Sequence, residues 1–252
     1  MRGEEAKAQE PIGNRPGRDH VALTLAGLLK AVADLLFPPR CVVCRARGDW
    51  LCSTCRSRLS LFTPPVCPRC GLPLSEGSSC FACHGQRLPV DALRLGGYFE
   101  GTLRQAVHCL KFSGERYLAN PLGDILAAAW QHCPLPAGTL VAVPLHPKHE
   151  AERGYNQSVL LARHVGRLLD LPVSEGHLRR VRETPPQMGL SREERLHNVE
   201  GAFAWVGEAP CPQHIILVDD VTTTGATLAA CAKALRQAGA RRVSGLVLAR
   251  AR

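Results

Sequence analysis

The sequence predicts an α/β protein, a parallel sheet flanked by helices and preceded by a small cysteine-rich region. Three observations lead there. Four C-x-x-C pairs fall between residues 41 and 83. From residue 91 onward, short apolar runs alternate with stretches of helical periodicity. Near the C-terminus the run Ile215, Ile216, Leu217, Val218 passes directly into Asp219, Asp220 and a turn of threonines and glycine. Such a run fits a strand buried on both faces, and open α/β sheets receive ligands at the carboxyl ends of such strands.

The first segment, residues 1–20, mixes charges with Gly, Pro and Glu and reads as a disordered tail. It lacks the basic start, apolar stretch and small-residue cleavage site of a secretory leader, and no apolar run approaches the ~20 residues of a membrane span. The expected location is cytoplasmic. Residues 21–38 place Leu25, Leu28, Leu29, Val32, Leu35 and Leu36 at helical spacing, and Pro38 with Pro39 stops the pattern. This amphipathic helix either docks on the body of the protein or attaches peripherally to a membrane surface or partner.

Residues 39–90 carry the pairs Cys41/Cys44, Cys52/Cys55, Cys67/Cys70 and Cys80/Cys83. Two cysteines two residues apart chelate one ion from a tight turn, and Zn²⁺ prefers four thiolates in a tetrahedron, so the segment reads as a double zinc ribbon holding two structural ions. The ions are expected on Cys41, Cys44, Cys52, Cys55 and on Cys67, Cys70, Cys80, Cys83; a cross-braced pairing, first with third and second with fourth, also satisfies the spacing. Four spaced repeats exceed the needs of a redox dithiol. With eight thiolates on two Zn²⁺, the formal charge of +9 falls to about +5, which leaves a modest basic signal from 26 arginines and 5 lysines. Cys109, Cys133, Cys211 and Cys231 are read as small hydrophobes.

Residues 91–252 supply the sheet. Strands are expected over 93–99, 139–143, 215–218 and 242–248, with helices over 103–111, 118–131, 156–169 and 226–238. The turn after Asp220 suits phosphate: Gly225 permits close backbone approach, amides from Gly225 and Ala226 open a helix, and Thr222, Thr223, Thr224 and Thr227 add hydroxyl donors. Hydrogen bonds to a charged group contribute roughly 1.5–3 kcal/mol each, so convergent donors hold a phosphate monoester without a lysine. Asp219 and Asp220 repel that phosphate and suit a neighbouring diol, such as ribose hydroxyls, or Mg²⁺. Neither G-x-x-x-x-G-K-[ST] nor a strand followed by G-x-G-x-x-G occurs, which disfavours a P-loop NTPase and a dinucleotide fold.

The thirteen residues from Ile215 to Thr227 resemble the phosphoribosyl pyrophosphate (PRPP) motif of type I phosphoribosyltransferases. Together with the tandem C-x-x-C pairs, Leu110-Lys111-Phe112, Pro144-Leu145-His146-Pro147, Arg153-Gly154-Tyr155-Asn156-Gln157, Gln187 and Arg195-x-x-Asn198-Val199, they resemble the ComF family, phosphoribosyltransferase-like proteins associated with competence for DNA uptake. The resemblance runs from about Leu28 to Arg250.

It implies a type I phosphoribosyltransferase-like sheet that binds Mg²⁺–PRPP, with Asp219 and Asp220 as catalytic acids and the 5-phosphate on residues 222–227. Pyrophosphate is then expected on Leu145, His146, Pro147 and Lys148, with Arg182 joining from a closing loop over residues 179–187. Lys111 and Arg153 are further candidates. Departure of pyrophosphate would leave positive charge on the ribose, which nearby carboxylates stabilise, so no covalent nucleophile is required.

The resemblance also implies a role in DNA uptake, for which single-stranded DNA and competence proteins are the candidate partners. Two functions stay open: a transferase that releases pyrophosphate, and a non-catalytic sensor of PRPP or a nucleotide that acts on DNA or partner proteins. Nothing in the sequence names the acceptor or the oligomeric state.

Overall fold

In the computed structural model, residues 38–75, 79–85, 88–182, 194 and 198–251 are described. The chain divides into two compact units, Met1–Pro38 and Pro39–Arg252, and every element below belongs to the second. The tail expected over 1–20, residues 21–37 of the expected helix, Gln187 and Arg195 lie outside the described residues.

Five strands form one parallel sheet: β1 (Leu93–Tyr98), β2 (Thr139–Ala142), β3 (Val173–Ser174), β6 (His214–Thr222) and β7 (Arg242–Arg250), in the order β1-β7-β6-β2-β3. A separate antiparallel ribbon pairs β4 (Leu178–Arg180) with β5 (Phe203–Trp205). The helices are α1 (Ser53–Arg56), α2 (Gly101–Phe112), α3 (Ala119–His132), α4 (Pro147–Arg153), α5 (Gln157–Leu169) and α6 (Ala226–Gln237).

Alternation within β6 and β7 explains the layers. Ile216, Val218, Leu246 and Leu248 pack with Leu103 and Leu110 of α2, Leu122 and Leu126 of α3, and Leu161 and Val165 of α5. Ile215, Leu217, Val243 and Val247 pack with Leu228, Cys231, Ala232 and Leu235 of α6. Both faces of the central strands are therefore covered, and each such aliphatic side chain contributes about 1.5–3 kcal/mol on burial.

Strand β6 runs past the four apolar residues, because pairing with the nine-residue β7 continues through Asp219↔Val247, Val221↔Ala249 and Thr222↔Arg250. Both acids thus sit inside the last part of a strand, where backbone pairing fixes them.

The cysteine-rich region closes the β1 edge of the sheet. Phe62 N–H donates to the Gly96 carbonyl at 2.9 Å and Tyr98 N–H to the Ser60 carbonyl at 3.0 Å. A Cβ on Gly97 would lie 2.3 Å from the Ser60 oxygen, so glycine admits this segment. Further along, Leu93 N–H donates to the Arg69 carbonyl at 2.8 Å, and Arg94 Nη1 donates to the Pro68 carbonyl at 2.9 Å. Arg94 is almost wholly buried, and its guanidinium fastens the second cysteine cluster to the sheet.

Candidate functional site

Strands β2 and β6 are neighbours in register, Ala142 opposite Val218, and Val143 N–H donates to the Val218 carbonyl at 2.9 Å. Strand β2 ends at Ala142 and leads into residues 144–148, whereas β6 continues four residues further, through both acids, to Thr222 before the turn at 223–225. Each candidate anion loop lines a cavity of its own, and the two cavities share no lining residue.

The acid pair is buried: Asp219 is 8% exposed and Asp220 2%. Asp219 Oδ1 accepts from Ser158 Oγ at 3.1 Å and from the Asp220 amide at 2.9 Å. Burial first, and then the charge of Asp220, push the Asp219 carboxyl up to about 7, against the downward pull of Lys111 and those hydrogen bonds. Asp220 Oδ2 meets Lys111 Nζ at 2.8 Å. That oxygen lacks an aligned hydrogen-bond donor, so the contact is one of charge. One acid is thus matched by a lysine, while burial and the neighbouring charge weaken the acidity of the other.

The Arg153-Gly154-Tyr155-Asn156-Gln157 segment is the joint that assembles these parts. Gly154 ends α4 at φ +77°. Tyr155 Oη donates to the Leu110 carbonyl, which fixes the last turn of α2 next to Lys111. Asn156 Nδ2 donates to the Val143 carbonyl at 3.0 Å, while its Oδ1 accepts from the Ser158 amide at 2.8 Å and so caps α5. Ser158 then reaches Asp219. Arg153 donates through Nη1 to Gln157 Oε1 and places its guanidinium carbon 5.2 Å from the Phe112 ring centre. Sequence reasoning missed Asn156 and Ser158 as site-builders; their signal was an N-cap pair beside a strand end.

Residues 144–148 form the entry to α4. Pro147 takes the first helical position, and His146 caps it, its Nδ1 accepting from the Lys148 amide at 3.3 Å. Lys148 is exposed. Arg182 donates through Nη2 to the carbonyls of Asn198 at 3.1 Å and Glu200 at 2.6 Å, just beyond the β4–β5 ribbon. Residues 183–187 of the expected closing loop lie outside the described residues. A cavity of about 290 Å³ lies beside this face, with Pro144, Leu145, Asn156, Glu175, Arg179 and Arg180 among its lining residues.

On the β6 side, Gly225 takes φ +79° as the residue before α6, and the Ala226 amide donates to Thr224 Oγ1 at 3.3 Å. Thr222 is buried, Thr223 exposed, and Thr224 and Thr227 are partly exposed. A cavity of about 220 Å³ opens on this turn, lined by residues 222–225 and also by Cys70, Leu72, Ala82, Pro89 and Arg250.

Each cysteine set comes together in sequence order. The sulfurs of Cys41, Cys44, Cys52 and Cys55 lie within 4.8 Å of one another, as do those of Cys67, Cys70, Cys80 and Cys83. Distances such as 3.6 Å from Cys44 to Cys52 and 3.5 Å from Cys70 to Cys80 fit the edges of a tetrahedron whose Zn–S bonds are about 2.3 Å. Burial raises the Cys41 and Cys67 thiols, but amides outweigh it: those of Cys44, Cys52 and Val43 bring Cys41 down to about 6, and those of Cys70 and Arg69, with Cys80 and Cys83, bring Cys67 to about 7. Such thiols suit a metal, and the four filled positions make each site structural.

This is the class the fold defines: a parallel α/β protein with two Cys₄ zinc sites built into its edge. Residues 32–84 match the double zinc ribbon domain. Competence protein F of Haemophilus influenzae is 32% identical over 225 residues, covering 84% of this chain and 97% of that protein. DNA utilization protein YhgH of Escherichia coli K12 is 34% identical over 227 residues, covering 86% and 99%. Competence protein ComFC of Bacillus subtilis is 32% identical over 208 residues, covering 79% and 84%. The chain belongs to the ComF family.

Proposed function

We propose that the protein binds Mg²⁺–PRPP, transfers its phosphoribosyl group with release of pyrophosphate, and serves DNA uptake or utilization. The observation that supports this reading is the pairing of β2 with β6, which brings the strand leading into residues 144–148 next to the strand that carries the buried Asp219 and Asp220. In the reading, the 5-phosphate takes the amides and hydroxyls of residues 222–227, the ribose hydroxyls take Asp219 and Asp220, and pyrophosphate takes Leu145, His146, Pro147 and Lys148. Mg²⁺ arrives with the pyrophosphate as part of the substrate; Lys111 already matches Asp220, which leaves the acid pair suited to a diol.

As pyrophosphate departs, the buried carboxylates stabilise the positive ribose ring, and the basic groups around residues 146–148 stabilise the leaving group. Arg182 joins it by exchanging the Asn198 and Glu200 carbonyls for phosphate oxygens. Arg153 is held by Gln157 and lies over the Phe112 ring, in the helix that carries Lys111. The relatives' names, competence protein and DNA utilization protein, support the DNA role. The protein would then work in the cytoplasm; among the described residues no helix is long and apolar enough to cross a membrane.

Calorimetry with PRPP, with and without Mg²⁺, tests the site on the natural protein and on the Asp219→Asn/Asp220→Asn variant. Heat from the first and none from the second is expected; equal heats would sink the reading. Pyrophosphate release with candidate acceptors then separates transferase from sensor.

One observation favours an additional DNA contact. Trp50 and Tyr117 stack with ring centres 4.8 Å apart, and Tyr117 and Phe112 are well exposed among Arg116 and Arg153. Aromatic rings among arginines suit single-stranded DNA, in a sensor as in an enzyme. Retention that falls steeply between low and high salt is expected; salt-independent retention would contradict it.

A further inference from the structure

We propose that Arg250 is the charged anchor of the 5-phosphate and that the second cysteine cluster forms the opposite wall of that subsite. The proposal rests on the PRPP reading above and adds two things to it: a cation that no motif contains, and a role in ligand binding for the second zinc ribbon.

Arg250 is the last residue of β7 and stands in register with Thr222 across a parallel pair. Register partners on neighbouring strands project to the same face of a sheet. Both line the cavity of about 220 Å³ that opens on the turn at residues 222–225. The backbone of Arg250 is locked on both sides, since its carbonyl accepts from Phe99 N–H at 2.8 Å and the next amide, Ala251, donates to the Thr222 carbonyl at 2.9 Å. Among the described residues, no carboxylate lies within ion-pair distance of its guanidinium. A cation that lines a cavity together with Thr222, Thr223 and Thr224, without an acid, suits a phosphate.

The opposite wall makes that charge necessary. Cys70, Leu72 and Ala82 line the same cavity, and they belong to the cluster that Arg69 and Arg94 fasten to β1. Four thiolates on Zn²⁺ leave a local charge of about −2, which opposes an anion. Arg250 offsets that repulsion. Cavity size then restricts the ligand to a phosphate monoester on a compact group such as a pentose, with any larger portion outside.

The test titrates ribose 5-phosphate, PRPP and pyrophosphate into the natural protein, Arg250→Gln, Arg250→Lys, Ala82→Trp and Asp219→Asn/Asp220→Asn, with zinc content and melting temperature recorded for each. Arg250→Gln is expected to weaken ribose 5-phosphate and PRPP at least tenfold, to leave pyrophosphate within twofold and to keep zinc and melting temperature unchanged; Arg250→Lys recovers part of the loss. Ala82→Trp, which fills the cavity from the ribbon side, is expected to show the same selective loss. Natural affinity in Arg250→Gln, alongside lost binding in the acid double variant, would overturn the proposal and leave the PRPP reading intact. Equal loss of pyrophosphate would assign Arg250 a structural role, and natural affinity in Ala82→Trp would remove the ribbon from the subsite. A natural protein that binds neither PRPP nor ribose 5-phosphate would remove both readings.

Discussion

Lys111 Nζ lies 2.8 Å from Asp220 Oδ2, joining the last turn of α2 to the carboxyl end of β6 beneath the candidate site. The aspartate side chain is 3% exposed and the lysine 21%, so the carboxylate depends on this partner for its charge balance. Tyr155 fixes the same helical turn through the Leu110 carbonyl, which makes the lysine's position a property of two segments far apart in sequence.

Replacing Lys111 with Met should therefore destabilise the protein by about 2–4 kcal/mol, a value discounted for the lysine's partial exposure. Adding Asp220→Asn to that variant should restore most of the loss, because no buried charge is then left unmatched. Urea denaturation of the natural protein, both single variants and the double at pH 7.5 measures the coupling; additive losses would show that the pair does not act as a unit.

The raised Asp219 carboxyl predicts an unusual dependence on pH. With a folded value of about 7 against 3.8 unfolded, the native state binds more protons than the unfolded chain between those limits. This contribution is fully present below pH ~4, is lost as pH rises through about 7, and is flat above it. Asp219→Asn removes the dependence, so its advantage in stability over the natural protein should grow from pH 4 to pH 7, reaching at most about 4 kcal/mol. Melting curves at pH 5 and pH 8 check this; a constant difference would contradict a proton held on Asp219.

The sheet was legible because its central strands are apolar on both faces and its helices carry clear periodicity: Ile215, Leu217, Leu228 and Leu235 settle their elements by pattern alone. The cysteine spacing was equally direct, and proximity of the sulfurs resolves its one ambiguity in favour of sequential pairing. What escaped was short or relational. Strand β3 has two residues and β4 and β5 three each, too few for any period to register. The α4 helix buries none of its side chains, so it carries no apolar stripe. The bonds of Asn156 to Val143, Ser158 to Asp219 and Lys111 to Asp220 depend on tertiary contact, which one sequence does not display.

Asn156 gives a prediction of its own. Its side chain satisfies the Val143 carbonyl, just before residues 144–148, and the first amides of α5. Asn156→Ala should cost about 2 kcal/mol, from a lost cap and a buried carbonyl left without its donor. Asn156→Ser keeps a capping oxygen but not the amide donor to Val143, so it should recover the cap's share alone. Chemical denaturation of the three proteins measures both parts, and equal stability of the two variants would show that capping contributes nothing.

Sequential zinc pairing is separable from cross-bracing by metal analysis. Replacing Cys41, Cys44, Cys52 and Cys55 together with serine leaves Cys67, Cys70, Cys80 and Cys83 intact as one complete tetrahedral set. The natural protein should contain two zinc ions per chain and the variant one. Cross-bracing would leave two incomplete sets and no tightly held ion.

Gly225 bears two separate constraints, and they can be measured apart. Its φ of +79° is a conformation that L side chains rarely adopt, and a Cβ there would lie 2.8 Å from Pro89 Cγ. Gly225→Ala should therefore lose about 1 kcal/mol to the backbone and a further amount to the clash with the segment that leads from the second cysteine cluster into β1. Pro89→Gly removes the clashing ring but not the backbone constraint. In the Gly225→Ala/Pro89→Gly variant, stability relative to Pro89→Gly alone should fall by only the backbone share. A loss as large as that of Gly225→Ala in the natural protein would mean that Pro89 imposes nothing, and that the turn at residues 223–225 keeps its shape independently of the segment packed on it.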